Sequence, residues 1–178
     1  MNVRFAFATL VAAASLAGCA GMMHGGGPMA MAKLEATRGN TVSGTVMFHQ
    51  HGDQMMVHAR VEGLKPGQEH GFHIHEKGDC SSGDGMSTGG HFNPSGKPHG
   101  APDSGERHAG DLPALKADAQ GRANVKFQLA GVAIGSGAAD IVAKGLIVHA
   151  MPDDYKTQPT GNSGARVACG VIVRHTMN

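Results

Sequence analysis

The chain has 178 residues, the length of one ordinary domain with a leader. Its net charge of +1 excludes the strongly basic surface that nucleic-acid binding requires. Glycine is abundant, at 28 residues, and tryptophan is absent, which favours short strands and turns over a helical bundle. The twelve histidines exceed what the packing of one domain needs.

Residues 1–18 have the pattern of an export signal. Arg4 provides the positive start, and an apolar or small-residue run follows from Phe5 to Ala17. This run of about thirteen residues is shorter than the roughly 20 that span a bilayer. It leads to Leu-Ala-Gly-Cys at 16–19, which resembles the lipobox of bacterial lipoproteins, where Cys19 becomes the lipidated first residue. An ordinary cleaved signal with a chance cysteine is the alternative.

The cysteine count agrees with lipidation. Three cysteines in an exported protein leave one without a partner. If Cys19 carries the lipid, Cys80 and Cys169 remain as a pair in an oxidising compartment. Their bridge closes a loop of about 90 residues, for which the chain-entropy model gives roughly 4–5 kcal/mol of stabilisation.

Residues 19–32 are rich in glycine and methionine and predict a flexible tether, with the folded domain at 33–178. Thioethers are soft ligands suited to Cu(I), so the tether is also a candidate copper-capturing arm. The residues of this arm are Met22, Met23, His24, Met29 and Met31. A spacer without a metal role is the alternative.

Short segments with β-branched or alternating residues, separated by turn signals, predict strands after Lys33. The predicted strands are 41–48, 54–62, 71–76, 121–129, 145–150 and 167–174. Two irregular glycine-rich segments, 77–119 and 151–164, are typical of functional loops. Strands with long loops indicate an antiparallel sandwich or barrel whose site lies on the loops.

His73 and His75 lie two residues apart in a predicted strand. Both imidazoles therefore point to one face, while Phe72 and Ile74 point to the other. Paired neutral imidazoles suit copper or zinc, although an isolated pair also arises by coincidence. His149, in a later strand, is a candidate third nitrogen ligand; a core or surface histidine is the alternative.

The first long loop contains His91, His99, His108 and Asp111. Three histidines and one carboxylate form a closed tetrahedral set for zinc. Loop residues have few packing reasons to be histidine. Zinc binding would also explain how so long a loop stays ordered, because metal binding contributes folding free energy.

Five segments resemble, in order, the signature blocks of the copper/zinc superoxide dismutases. They are GFHIHEKGDC (71–80), GGHFNPSGKPHG (89–100), ERHAGDLP (106–113), VHAMPDD (148–154) and GNSGARVACG (161–170). The resemblance extends over residues 33–176, and the segment 153–172 resembles the bacterial periplasmic branch. It implies an all-β fold: an eight-stranded antiparallel Greek-key barrel or sandwich, immunoglobulin-like, with two long functional loops.

The resemblance implies one copper and one zinc per subunit. The implied copper ligands are His73, His75, His91 and His149, and the implied zinc ligands are His91, His99, His108 and Asp111. His91 is thus the bridge between the metals. Asp153 resembles the carboxylate that orients a ligand of each metal. Cys80 and Cys169 resemble the family disulfide.

The implied activity converts two superoxide anions and two protons into dioxygen and hydrogen peroxide by copper cycling, with a structural zinc. His91 is implied in proton delivery, and Arg166 in binding the superoxide anion by charge-assisted hydrogen bonds; a structural arginine is the alternative. A non-catalytic periplasmic copper-buffering lipoprotein is the alternative function. A sandwich-type adhesion module is a more remote one.

The predicted location is the bacterial cell envelope, in the periplasm, anchored to the outer membrane only through the Cys19 lipid. Family members occur as monomers and as homodimers, and the sequence leaves both open. His49 and His51 form a second His-x-His pair outside the ligand set. We interpret them as exposed residues at the end of a strand, with extra metal binding as the alternative.

Overall fold

The computed structural model describes residue 1, residues 27–135 and residues 137–176. Residues 2–26, with the predicted signal segment, Cys19 and most of the predicted tether, lie outside the described residues. The nine strands are β1 Met29–Ala36, β2 Ser43–His51, β3 Gln54–Glu62, β4 Glu69–His70, β5 Phe72–His75, β6 Leu115–Lys116, β7 Ala123–Ala130, β8 Gly145–His149 and β9 Arg166–His175. Among the described residues, no helix is long and apolar enough to cross a membrane.

Seven strands form one antiparallel sheet in the order β5-β8-β9-β1-β2-β3-β7, and β4 pairs with β6 outside it. The first strand lies between the second and the last, which is the crossover that a Greek key requires. The expected all-β antiparallel Greek-key fold is confirmed. The described residues form nine strands where eight were expected, seven in the main sheet and two in the short β4–β6 pair.

Every second residue of the long strands points inward and forms the hydrophobic core. In β3, Met55, Val57 and Ala59 are 0% exposed, while the residues between them are exposed or half-buried. Phe48 and Phe72 are also 0% exposed. Full burial of such apolar side chains contributes about 1.5–3 kcal/mol each. Strands β5 and β8 are buried on both faces. One face of each strand packs against this core, and the other is covered by the loops.

Strand β1 corrects the predicted boundary between tether and domain at 32/33. It begins at Met29, and Ala30 and Ala32 are 0% exposed. Its Met-Ala-Met-Ala start has little intrinsic preference for strand. It is extended because β2 and β9 pair with it on both sides. Met29 and Met31 are therefore residues of the sheet.

Candidate metal centre

The first cluster begins on β5. His73 and His75 lie on one face of this strand, while Phe72 and Ile74 pack into the core on the other. Strand β8 pairs with β5 and ends at His149, where its register against β9 shifts. Such an irregularity redirects the following side chain. The ring centroid of His149 lies 4.8 Å from that of His73.

His91 reaches the same cluster from the loop that follows β5. It forms an isolated bridge with His75, and its ring centroid lies 4.0 Å from that of His73. Each of the four histidines offers one nitrogen, and these nitrogens lie within 4.8 Å of one another. The structure thus brings together all four residues that the family resemblance implies as copper ligands.

Each imidazole of the first cluster has an unpaired nitrogen. Among the described residues, His73 Nδ1 and the Nε2 atoms of His75, His91 and His149 are buried without a hydrogen-bond partner. An unsatisfied buried group of this kind costs about 1–3 kcal/mol. Four unpaired imidazole nitrogens within 4.8 Å of one another fit a copper ion, for which imidazole is a suitable ligand.

Backbone carbonyl groups fix the opposite nitrogen of two of these rings. Nδ1 of His75 donates to the carbonyl oxygen of Gly89 at 2.9 Å. Nδ1 of His149 donates to the carbonyl oxygen of Gly164 at 3.2 Å. In this tautomer the other ring nitrogen keeps its lone pair, so Nε2 of each ring is ready to bind a metal.

The second cluster consists of His91, His99, His108 and Asp111, all buried. Oδ1 of Asp111 lies 2.8 Å from His91 Nδ1 and 3.0 Å from His99 Nδ1. It lies 3.4 Å from His108 Nδ1. Oδ2 accepts hydrogen bonds from the backbone N–H groups of His108 and Gly100, at 2.8 and 3.1 Å. Three imidazoles and one carboxylate fit zinc.

His91 belongs to both clusters. Its Nδ1 faces Asp111 in the second cluster, and its Nε2 is an unpaired atom of the first. A ring that binds a metal at each nitrogen carries no N–H proton. One side chain therefore couples the two sites.

The two clusters differ in electrostatics. Burial lowers the pKa of His73 to about 4 and that of His149 to about 3, so both rings are neutral at pH 7. Burial also acts to lower the pKa of His99, but hydrogen bonds to Asp111 and Asp153 outweigh it and raise this pKa to about 9. His73 and His149 are thus neutral candidate ligands, whereas the second cluster is mixed, because burial lowers the pKa of its His108.

Asp153 links the two clusters from outside. Its Oδ2 accepts from His73 Nε2 at 2.6 Å, and its Oδ1 from His99 Nε2 at 2.9 Å. Burial acts to raise the pKa of Asp153, but these hydrogen bonds lower it. Gly161 lies against this carboxylate with a φ of 66°, and a Cβ there would collide with Asp153 and His99. Glycine is therefore required at this position.

Arg166 begins β9 beside the first cluster. Its Nη1 donates to the Gly85 carbonyl at 2.7 Å and to Thr88 Oγ1 at 2.8 Å, and its Nη2 donates to the Gly89 carbonyl at 2.7 Å. The Gly89 oxygen also accepts from His75. One carbonyl group therefore links the guanidinium to the first cluster.

The predicted disulfide is confirmed. Cys80 and Cys169 are bonded, with their Cα atoms 5.9 Å apart. Cys169 lies on β9, the strand that begins with Arg166, and Cys80 lies in the loop that holds Gly85 and Gly89. The bridge therefore joins the arginine strand to the loop whose carbonyl groups hold the arginine.

Several supporting groups were not identified from the sequence. The carbonyl groups that hold Arg166, His75 and His149 come from glycines, and any residue has such a carbonyl, so no sequence signal marks them. The Gln158 side chain accepts from the His99 backbone N–H at 2.8 Å and donates to its carbonyl at 2.9 Å. The only sequence signal for a role of Gln158 at the site was its position in the second irregular segment.

Comparison with known proteins agrees with this arrangement. The family model of copper/zinc superoxide dismutase matches residues 42–172. A solved structure, that of the clock protein EA4, is similar with a TM-score of 0.75 and 38% sequence identity. The similarity covers 85% of this chain and 99% of that one. The chain belongs to the copper/zinc superoxide dismutase family.

Proposed function

We propose that the protein catalyses superoxide dismutation, with copper in the first cluster and zinc in the second. The observation that carries the proposal is His91, a buried imidazole with one nitrogen in each cluster. A site that only stores copper needs neither a shared ring nor a second cluster. Copper, when bound, supplies one-electron exchange with the substrate.

Arg166 binds the superoxide anion beside the first cluster. Its positive charge acts to lower the pKa of both His75 and His149, so its field reaches the ligands. Three of its N–H groups are bonded to the loop, and within the described residues two of its five donors are left for an anion. Charge-assisted hydrogen bonds of this kind are about twice as strong as neutral ones.

His91 delivers a proton to the reduced substrate. Its Nδ1 stays in the second cluster, so its Nε2, whenever it is free of metal in the cycle, would hold this proton at the face of the first cluster. Two superoxide anions and two protons give one dioxygen and one hydrogen peroxide. The second proton of each cycle comes from water.

Pulse radiolysis of the copper- and zinc-loaded protein tests this function. We expect rapid superoxide decay that disappears in His149→Ala while zinc content is unchanged. His58→Ala, a histidine outside both clusters that is hydrogen-bonded to Asn124, is the matched control and keeps full activity. Full metal loading without superoxide decay would reject the enzyme and favour the copper-buffering alternative. The name of the similar clock protein mentions no such reaction, so this measurement is decisive.

We also propose that the protein is a periplasmic lipoprotein, anchored to the outer membrane through lipid on Cys19. The support is the apolar run that ends in Leu-Ala-Gly-Cys at 16–19. Labelling of cells with radioactive palmitate should mark the wild-type protein and leave Cys19→Ser unlabelled. Label in Cys19→Ser would reject the assignment. The homodimer stays a prediction, for which sedimentation velocity is the measurement.

A further inference from the structure

The outward face of four neighbouring strands, β9, β1, β2 and β3, is rich in methionine and histidine. The alternate residues of β1 to β3, such as Ala30, Phe48 and Val57, are 0% exposed in the core. The residues between them therefore face outward. This Met–His face consists of Met29, Met31, Met47, His49, His51, Met56, His58 and His175. Thioethers on an outer face do not contribute to the core.

The register of the strands aligns four of these residues in one row. His175 is opposite Met29, Met29 is opposite His49, and His49 is opposite Met56. Directly opposite residues have Cβ atoms about 4.5–5.5 Å apart. His49 thus has a thioether on each side, and nitrogen alternates with sulfur along the row.

The central histidine of this row has an unused nitrogen. Nε2 of His49 is buried, with no hydrogen-bond partner in the part of the chain that the structure describes. The ring centroid of His51 lies 4.1 Å from that of His49, which places a second imidazole beside it. The neighbouring row, Met31–Met47–His58, differs because His58 Nε2 is bonded to Asn124 Oδ1 at 2.7 Å.

We propose that the row binds one Cu(I) ion between the imidazole of His49 and the thioethers of Met29 and Met56. His51 provides a further nitrogen beside the ion. Thioether ligands select Cu(I) over harder metals. None of these residues belongs to the two clusters of the metal centre, so this site is separate from the proposed catalytic reaction and does not depend on it.

The test uses the full chain with both clusters of the metal centre already loaded. Cu(I) is titrated in competition with bicinchoninate, a chromogenic chelator. We expect one additional Cu(I) per chain, with at least roughly tenfold weaker binding in Met29→Leu/Met56→Leu, since even outer partners of metal ligands contribute this much. Leucine conserves the volume of methionine, so the sheet persists. Met31→Leu/Met47→Leu, on the same strands and face, is the matched control and retains the affinity.

NMR of ¹³C-labelled methionine methyl groups gives a second readout. The Met29 and Met56 signals should shift on addition of Cu(I), while those of Met86 and Met151, exposed methionines outside the face, should not. Absence of additional Cu(I) on the wild-type protein would overturn the proposal. So would unchanged affinity in Met29→Leu/Met56→Leu, which would assign the ion to other residues, such as Met22 and Met23.

Discussion

His73 and His99, members of different histidine clusters, are bonded to the two oxygens of one carboxylate, that of Asp153. His91 joins the same clusters through its ring. Two links, one through the His91 ring and one through the Asp153 carboxylate, therefore connect the clusters.

Asp153→Asn should weaken metal binding at both clusters. An asparagine has one carbonyl oxygen, so only one of His73 and His99 keeps its acceptor. We expect a roughly 10- to 100-fold loss of affinity for copper and zinc, the range for such outer partners. Competition titrations with chelators measure it. Asp154→Asn is the matched control, since Asp154 is exposed and the hydrogen bonds of its side chain go to Lys156 and Thr157 in its own turn. Equal effects of the two changes would contradict the link.

Arg166→Lys should lower kcat/KM about tenfold without changing metal content. Lysine keeps the positive charge but lacks the planar guanidinium group. That group bonds to Gly85, Thr88 and Gly89 and still has donors free for an anion. A hydrogen bond to a charged group contributes about 1.5–3 kcal/mol, and 1.4 kcal/mol is a factor of ten. Pulse radiolysis measures the rate.

The control for this prediction lies on the same strand. Arg174 is exposed, and its Nη2 donates to the Gly135 carbonyl at 3.4 Å. Arg174→Lys should keep the wild-type rate. If Arg166→Lys keeps it as well, Arg166 is a structural arginine that holds the loop and does not bind the substrate.

Part of the fold was predictable because local patterns agree with the tertiary environment. Strand β3 has the predicted limits, Gln54–Glu62, since its alternation of buried and exposed residues matches a half-buried strand. Strand β1 was missed because methionine and alanine carry no strand signal, and its conformation depends on β2 and β9. Because this strand was missed, Met29 and Met31 were assigned to the tether, whereas the structure places them in the sheet.

The metal-binding side chains were predictable for a different reason. The spacing of histidines and an aspartate marks candidate ligands, and resemblance to a family implies the full set and its roles. The groups that hold them are backbone carbonyls, such as those of Gly89 and Gly164. Every residue has such a carbonyl, so the sequence does not show which ones take this role. Their positions follow only from the folded loops. The register that aligns Met29 with His49 likewise required the paired strands.

Removal of the disulfide by Cys80→Ala/Cys169→Ala should lower the free energy of unfolding by about 4 kcal/mol. The bridge closes a loop with a sequence separation of 89 residues, and its loss increases the entropy of the unfolded chain. Urea denaturation of metal-free protein measures the change. The wild-type protein under reducing conditions should match the variant. An unchanged free energy of unfolding would contradict the loop-closure argument.

Removal of zinc should release the loop between β5 and β6 while leaving the sheet intact. Asp111 and the three histidines hold this loop, which has few strand hydrogen bonds of its own, so the metal contributes its folding free energy. Hydrogen exchange should increase in residues 92–112 and stay unchanged in β2 and β3. His108→Ala should reproduce this pattern, and His58→Ala, outside both clusters, should not. Equal protection of the loop with and without zinc would mean that packing alone orders it.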